Sequence, residues 1–240
     1  MNVRQLLDRV YNGEIVLPDF QRSFIWEPEN VRELIVSILG DYFIGSMLTM
    51  DSSKDEAPFA LRLIEGVEQV NKEVKIPSLV KILLDGQQRT TALFYALYDV
   101  EIPLRGRKSP YKFFIDLEAA LNEKWDESVM GISLRDKKRL REVENNPNII
   151  PLSLIKNIGE LSKKFVNHPR HDKIVDMANN FLNREIHIVN LPRSTSLNKI
   201  VETFERINRT GEPLSIFELL TARLYKYNIK LRELLDFSKN

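Results

Sequence analysis

In the run Lys81-Ile82-Leu83-Leu84-Asp85-Gly86-Gln87-Gln88-Arg89-Thr90-Thr91, two glutamines and an arginine directly follow an Asp-Gly pair. The apolar stretch reads as a buried strand, Asp-Gly as a tight turn, and the residues after it as the start of a helix. The first N–H groups of a helix lack internal partners and lie on the positive end of its dipole, so the junction is a ready anion site. Gly86 would let an anion approach the backbone, Arg89 supplies a permanently charged planar fork suited to phosphate, and Thr90 shares the same first turn. Asp85 would stand beside the anion as a carboxylate able to hold Mg²⁺ or orient water. Gln87 and Gln88 each donate and accept, so either could position water or read a base. The expectation is phosphate binding by residues 86–90, with Asp85, Gln87 and Gln88 catalytic and Asp85 the metal ligand. The plainer alternative is a junction capped by Asp85, with Arg89 paired to a nearby acid. Because Arg89 sits at the helix start and off the apolar stripe, its replacement by alanine is expected to spare the fold.

Two further segments carry polar groups at element ends. In Leu17-Pro18-Asp19-Phe20-Gln21-Arg22-Ser23-Phe24-Ile25-Trp26, Pro18 stiffens a strand exit, and Gln21 and Arg22 add an amide and a second fork. Phe20, Phe24 and Trp26 could be a stacking face, but core packing is the plainer reading. In Phe204–Ser215, Asn208, Arg209 and Thr210 cluster at a helix end, with C-capping by Asn208 and Gly211 as the alternative. Polar groups at element ends gather in the crevice of an open α/β sheet. Arg22, Arg89 and Asn208 are therefore expected to face one cavity, with Gln21 and Arg209 beside them.

Positioning these groups requires a particular set of elements. Residues 3–11 form a helix with Val3, Leu6, Leu7 and Val10 on one face, Ile15–Leu17 a strand, and a helix begins near Pro28 with Val31, Leu34, Ile35, Ile38 and Leu39 inward. Gly40 or Gly45 ends that helix. Strands follow at 46–50, 61–64 and 81–84, with a polar loop over 51–60 and a hairpin-like excursion between the last two strands. After the helix at 87 and a basic loop at 105–110, residues 111–117 form a strand. Residues 119–183 carry helical periods and few strand signals, with Ser133 capping a charged helix through Glu144. The strand at 186–191 is expected to rejoin the first sheet, followed by a helix over 197–208. Ser215 with Glu218 begins another helix at 216–227, and Leu231–Phe237 is helix-like. The expected division is a core of 1–118 and 185–240, with 119–184 as a helical insertion.

Taken together, the three polar segments resemble the N-terminal domain of GmrSD-type restriction proteins. This is a large family with an Asp-Gly-Gln-Gln-Arg run, related to ParB-like nuclease and sulfiredoxin folds. The resemblance runs from about residue 3 to residue 225, with the segments in the family's order. It implies an α+β fold with a ParB/sulfiredoxin-like mixed sheet. It also implies that Gly86-Gln87-Gln88-Arg89 is the Gly-x-x-Arg turn that binds nucleotide phosphates in the wider fold. Family members couple nucleotide binding or hydrolysis to attack on modified foreign DNA, often through a C-terminal His-Asn-His nuclease domain. The implied cofactors are a nucleoside triphosphate (NTP) and Mg²⁺. DNA is the implied partner of the full-length protein, through a nuclease domain or partner subunit outside these residues.

Composition narrows the classes. The absence of cysteine excludes disulfides, cysteine-ligated zinc and thiol catalysis. Three histidines, His168, His171 and His187, leave little for a histidine metal site. A formal net charge of +1 gives no global footprint for nucleic acid, so any such role rests on a local patch. The start lacks a signal-peptide pattern and no window approaches a membrane span, so a cytoplasmic protein with no membrane partner is expected. The leading reading is an NTP-binding and NTP-hydrolysing regulatory domain of a restriction system. The alternative is a non-catalytic DNA- or protein-binding module, using 105–108 and the basic run Arg135, Lys137, Lys138, Arg139 and Arg141. A nuclease acting through Asp85 and other carboxylates is a third.

Overall fold

Val3, Leu6, Leu7 and Val10 are all buried along α1 (Val3–Tyr11). Asn2 starts it: its side chain accepts from the Gln5 N–H, and the Gln5 side chain accepts from the Asn2 N–H. Two donors that a helix start would leave orphaned are thereby satisfied. β1 (Ile15–Pro18) is buried throughout. α2 (Pro28–Leu39) opens on Pro28, where a missing N–H costs nothing. It ends at Gly40, and the next residue, Asp41, takes the left-handed φ of 60°. β2 (Met47–Ser53), β3 (Leu61–Leu63), α3 (Val67–Val70), β4 (Leu79–Asp85) and α4 (Gln87–Leu97) follow. The computed structural model describes residues 1–208, and no described helix is long and apolar enough to cross a membrane.

The fold is of mixed α+β class. A five-stranded sheet has the order β3-β1-β4-β2-β8, where β8 (Ile188–Leu191) is the expected late strand, paired parallel to β2. β1 and β4 are parallel, whereas β2 runs antiparallel to β4 and β3 antiparallel to β1. The connection between residues 61–64 and 81–84, expected to be a hairpin-like excursion, holds the short helix α3 and no strand, and the two flanking strands are not neighbours. β1, apolar along its whole length, lies between those strands and takes an edge of each. The polar loop is also shorter than expected, because β2 continues to Ser53 against β4.

Alternation divides the sheet's side chains between two faces. Ile15, Leu17, Met47 and Leu83 point into the larger core with α1, α2 and α4. Val16, Leu48, Met50, Val80, Ile82 and Leu84 form the opposite core with Phe20, Phe59 and Ile200. Ile200 belongs to α10 (Leu197–Asn208).

The stretch expected to be a helical insertion contains two strands. β5 (Tyr111–Asp116) pairs antiparallel with β6 (Val129–Ser133) and with β7 (Ile149–Pro151) in a second sheet. Both new strands are short, and their signal lies in their partner rather than in a long alternation of their own. Around them lie α5 (Leu117–Leu121), α6 (Trp125–Ser128), α7 (Lys137–Glu144), a 3-10 turn (Leu152–Lys156), α8 (Ile158–Lys164) and α9 (His171–Asn183). Ser133 ends β6, and Asp136 caps α7 instead, accepting from the Arg139 N–H at 3.0 Å. Phe113 and Ile115 of β5 and Ala178 and Phe181 of α9 share the larger core with α1, α2 and α4.

Strand direction decides what meets what. With β1 and β4 parallel, their exits at Pro18 and Asp85 lie at one end of the sheet. With β2 antiparallel to β4 and β8 parallel to β2, the starts of β2 and β8 lie at that same end.

Candidate functional site at the strand exits

The Pro18–Trp26 segment and the Asp85–Arg89 turn meet at this end and are tied together by side-chain amides. Gln21 is buried, and its Nε2 donates to the carbonyls of Leu83 (3.0 Å) and Leu84 (2.9 Å) at the end of β4. Gln87 is buried too and donates to the Arg22 carbonyl at 2.6 Å. Gln88 makes two bonds, accepting from the Ile25 N–H at 2.9 Å and donating to the Ser23 carbonyl at 3.2 Å. These glutamines thus hold an irregular segment whose backbone has no strand partner. One polar atom remains over: Gln21 Oε1 is buried with no hydrogen-bond partner. The two carbonyls on Nε2 fix the amide's orientation, so this oxygen can only accept.

Gly86 caps α4 with a φ of +99°, and a Cβ there would meet Met47 Cγ at 2.7 Å. The demand for glycine therefore comes from within the fold, from a left-handed turn pressed against β2. Thr90 is fully buried, with its hydroxyl 3.6 Å from Met47 Sδ and its N–H donated to the Gly86 carbonyl at 2.9 Å, so neither its side chain nor its amide is open to a ligand, which corrects its expected place among the phosphate-binding residues.

Arg89 is built into the structure, so its loss is expected to lower stability as well as to remove a charge from the turn. Its Nη1 donates to the Ile44 carbonyl at 2.6 Å, and its Nη2 donates to the Ser46 carbonyl at 2.8 Å and to Asp85 Oδ2 at 3.3 Å. The Asp85 pair is the ion pair of the plainer sequence alternative, although Asp85 precedes the cap and Gly86 occupies it. Burial lowers the Arg89 pKa and Asp85 opposes the shift; a guanidinium stays charged regardless.

Arg89 lines a cleft of about 260 Å³ with Trp26, Asn30, Glu33, Leu34, Ser37, Phe43 and Ile44. Arg22 is not among its walls. The Arg22 carbonyl accepts from Arg62 Nη2 at 3.0 Å as well as from Gln87. The Asn208 side chain and the whole of Arg209 lie outside the described residues, as do Thr210, Gly211, the Ser215–Glu218 pattern and the helices expected at 216–227 and 231–237. Phe20 packs edge-on against Phe59, and Phe24 and Trp26 pack against the larger core, so all three are packing residues.

Several contributors went unnoticed in the sequence. Arg62 on β3 donates to the Gln21 and Arg22 carbonyls, and Glu65 accepts from the Phe24 N–H at 2.8 Å. A charged residue between two leucines, Leu61-Arg62-Leu63, was the available signal. Ile44 and Ser46 act through backbone carbonyls, which leave no such trace.

A larger cleft of about 790 Å³ lies elsewhere, lined by residues including Asp41, Glu123, Trp125, Asp176, Arg184 and His187. None of the residues expected from sequence to bind phosphate or metal lines it. His187 sits just before β8, its ring 5.9 Å from that of Phe43. Among the described residues, no group of three or more His, Asp or Glu could hold a metal ion.

The comparisons agree with the sequence resemblance. An uncharacterized protein of Methanocaldococcus jannaschii is 36% identical over 247 residues, covering 97% of this chain. The chain spans 42% of that relative's length. The family described as GmrSD restriction endonuclease, N-terminal domain, matches residues 3–225. With the match extending over nearly the whole chain, this protein belongs to the GmrSD restriction endonuclease N-terminal domain family.

Proposed function

We propose that this chain is an NTP-binding and NTP-hydrolysing regulatory domain of a DNA-restriction protein, with the nucleotide's phosphates at the start of α4. The observation that carries this reading is the convergence of two polar segments, more than sixty residues apart in sequence, at the carboxyl ends of two parallel strands. Such strand ends are where α/β sheets bind ligands. The partnerless, buried Gln21 Oε1 at the same place calls for a donor, which ordered water or a sugar hydroxyl or base amine of a nucleotide can supply and its phosphates cannot. The amides of Gly86, Gln87 and Gln88 would face phosphate oxygens, whereas the Thr90 N–H is spent on the Gly86 carbonyl; Arg89 and Arg22 would supply positive charge, and Asn208 and Arg209 are the further candidates from the sequence. Asp85 would hold Mg²⁺ or the attacking water, with Gln87 and Gln88 fixing the turn. A single protein carboxylate suits Mg²⁺, which takes its remaining ligands from phosphate and water. Phosphoryl transfer asks mainly for positioning and charge neutralisation. DNA would be engaged by the longer protein, through a nuclease domain or partner subunit, and the greater length of the archaeal relative supports this.

The test is titration of the folded protein with fluorescent NTPs, with and without Mg²⁺, alongside phosphate release. Saturable binding that Asp85→Asn retains while turnover falls is expected. Absence of binding to every NTP in both conditions would refute the reading.

One observation favours the second reading, a DNA-binding module. Arg135, Lys137, Lys138, Arg139 and Arg141 are all exposed on or beside α7. Asp136, Glu142 and Glu144 offset them. If this surface binds duplex DNA, charge reversal at Lys137 and Lys138 should weaken binding and flatten its salt dependence.

A further inference from the structure

The three partners of Arg89 are unequal. The carbonyls of Ile44 and Ser46 lie at 2.6 and 2.8 Å, whereas the Asp85 carboxylate lies at 3.3 Å and is itself 39% exposed. The two short bonds reach a loop that gives up a side chain to make them. Gly45 has a φ of +84°, and a Cβ there would sit 2.5 Å from Arg89 Nη1. Backbone from 44 to 46 can therefore lie against the guanidinium only with glycine in the middle. The same loop is held at its other end by Arg184, which donates to the Asp41 and Tyr42 carbonyls and pairs with the Asp41 carboxylate.

We propose that the Ile44–Ser46 backbone is a cradle that orients Arg89 as a phosphate receptor, and that Asp85 is a placeholder exchanged for the incoming phosphate. Gly45 is thus a positioning residue. The proposal rests on the reading of the α4 turn as a nucleotide site.

Nη2 commits its two hydrogens to Ser46 and Asp85. Both two-pronged faces of a guanidinium use this nitrogen, so a forked pair with phosphate must displace one of those partners. The longer, half-solvated contact to Asp85 is the one to yield. Phosphate brings a stronger charge-assisted fork to the same place, and the short carbonyl bonds keep the guanidinium plane fixed meanwhile. Two anions cannot share one fork without repulsion. Asp85 turns away to the divalent cation that accompanies the phosphates, and the exchange makes phosphate binding depend on that cation.

The experiment measures affinity of the folded chain for inorganic triphosphate and for an NTP by calorimetry, with and without Mg²⁺. It covers wild type, Asp85→Asn, Gly45→Ala, Gly45→Asn and Arg89→Ala, plus each Gly45 variant combined with Arg89→Ala. Without Mg²⁺, Asp85→Asn should bind about tenfold more tightly than wild type, since the competing anion is gone, and gain less from Mg²⁺. Gly45→Ala should weaken binding about tenfold or more, yet change nothing further in the Arg89→Ala background, because coupled residues are non-additive. Gly45→Asn relieves the backbone strain but keeps the collision, so it should lose affinity with a smaller loss of stability. Equal losses in both backgrounds would overturn the cradle, and weaker Mg²⁺-free binding by Asp85→Asn would overturn the exchange. Either result leaves the nucleotide reading standing if wild type binds. A wild type that binds neither ligand removes that reading and this proposal together.

Discussion

Gln87, in the first turn of α4, donates its side-chain amide to the Arg22 carbonyl at 2.6 Å. The bond joins the two motif segments directly and is made by a buried donor, so its chemistry can be inverted by a near-isosteric change. Gln87→Glu places an acceptor opposite an acceptor and should cost about 2 kcal/mol or more at neutral pH. Gln87→Ala should cost about 1 kcal/mol, since Arg62 also serves that carbonyl. As the pH falls the new carboxyl takes up its proton and can donate, so the gap between the two variants should close. Urea unfolding at pH 7 and at acidic pH measures this.

Gln88 holds its segment by a different pattern, with one bond to the Ile25 N–H and one to the Ser23 carbonyl. Gln88→Ala should lower stability by about 1–2 kcal/mol. It should also open residues 22–26 to limited proteolysis well before global unfolding. Unchanged cleavage there would show that Gln21, Gln87 and Glu65 suffice to hold the loop.

Arg89→Ala leaves the Ile44 and Ser46 carbonyls without their donor. A loss of about 1–3 kcal/mol is expected, read as a lower urea midpoint with an unchanged slope. Arg89→Lys should recover little of it, because a point charge cannot reproduce a fork that spans two carbonyls.

The alkaline limb of stability should be set partly by two tyrosines, Tyr95 on α4 and Tyr98 at its C-terminal cap. Burial pushes Tyr95 and Tyr98 up to about 12 each. The Tyr95 hydroxyl donates to the Ile102 carbonyl and accepts from the Tyr111 N–H. An unfolded tyrosine ionises near pH ~10, so the unfolded chain loses these protons first. Their contribution is full below pH ~10 and fades as the pH rises toward the folded values. Phenolate absorbance should show at least two of the seven tyrosines titrating late, together with the unfolding transition.

At the acid end the sign reverses. A hydrogen bond from Lys81, then one from Asn190, holds the Asp51 carboxyl below the usual carboxylate range. The stabilisation is present above the unfolded value of about 3.9 and disappears as pH falls through the lower folded value. Asp51→Asn should flatten the acid limb of the stability profile, and Asp51 is exposed enough for the effect to be small.

Much of this architecture is legible in single stretches of sequence. The stripes of α1 and α2, the junction of β4 with α4, and the late strand β8 each carry their own periodicity or punctuation. The meeting of Gln21 and Arg22 with the Asp85 turn was foreseeable from polar groups at element ends. Two kinds of information were not legible. β6 and β7 are strands because β5 offers them an edge, and a five-residue run around Gly131 does not announce a distant partner. The contacts of Arg89 run to backbone carbonyls at Ile44 and Ser46, and any residue type supplies a carbonyl. Gly45 did register as a breaker, but a helix exit explained it as well as a guanidinium pressed against its α-carbon.

β8 closes the outer side of the first sheet, with Met47 in register with Ile188 and Met50 with Leu191. On a ribosome, β2 emerges some 140 residues before that neighbour does. Until then its outer row of N–H and C=O groups is open, an edge of the kind that templates pairing with other chains. Closing a loop of this length is among the slower steps available to a chain. The nascent protein therefore passes through a period in which β3, β1, β4 and β2 can assemble while one flank stays uncovered. Substitutions that weaken β8 should consequently appear as lower soluble yield during synthesis before they appear as lower stability of the finished molecule.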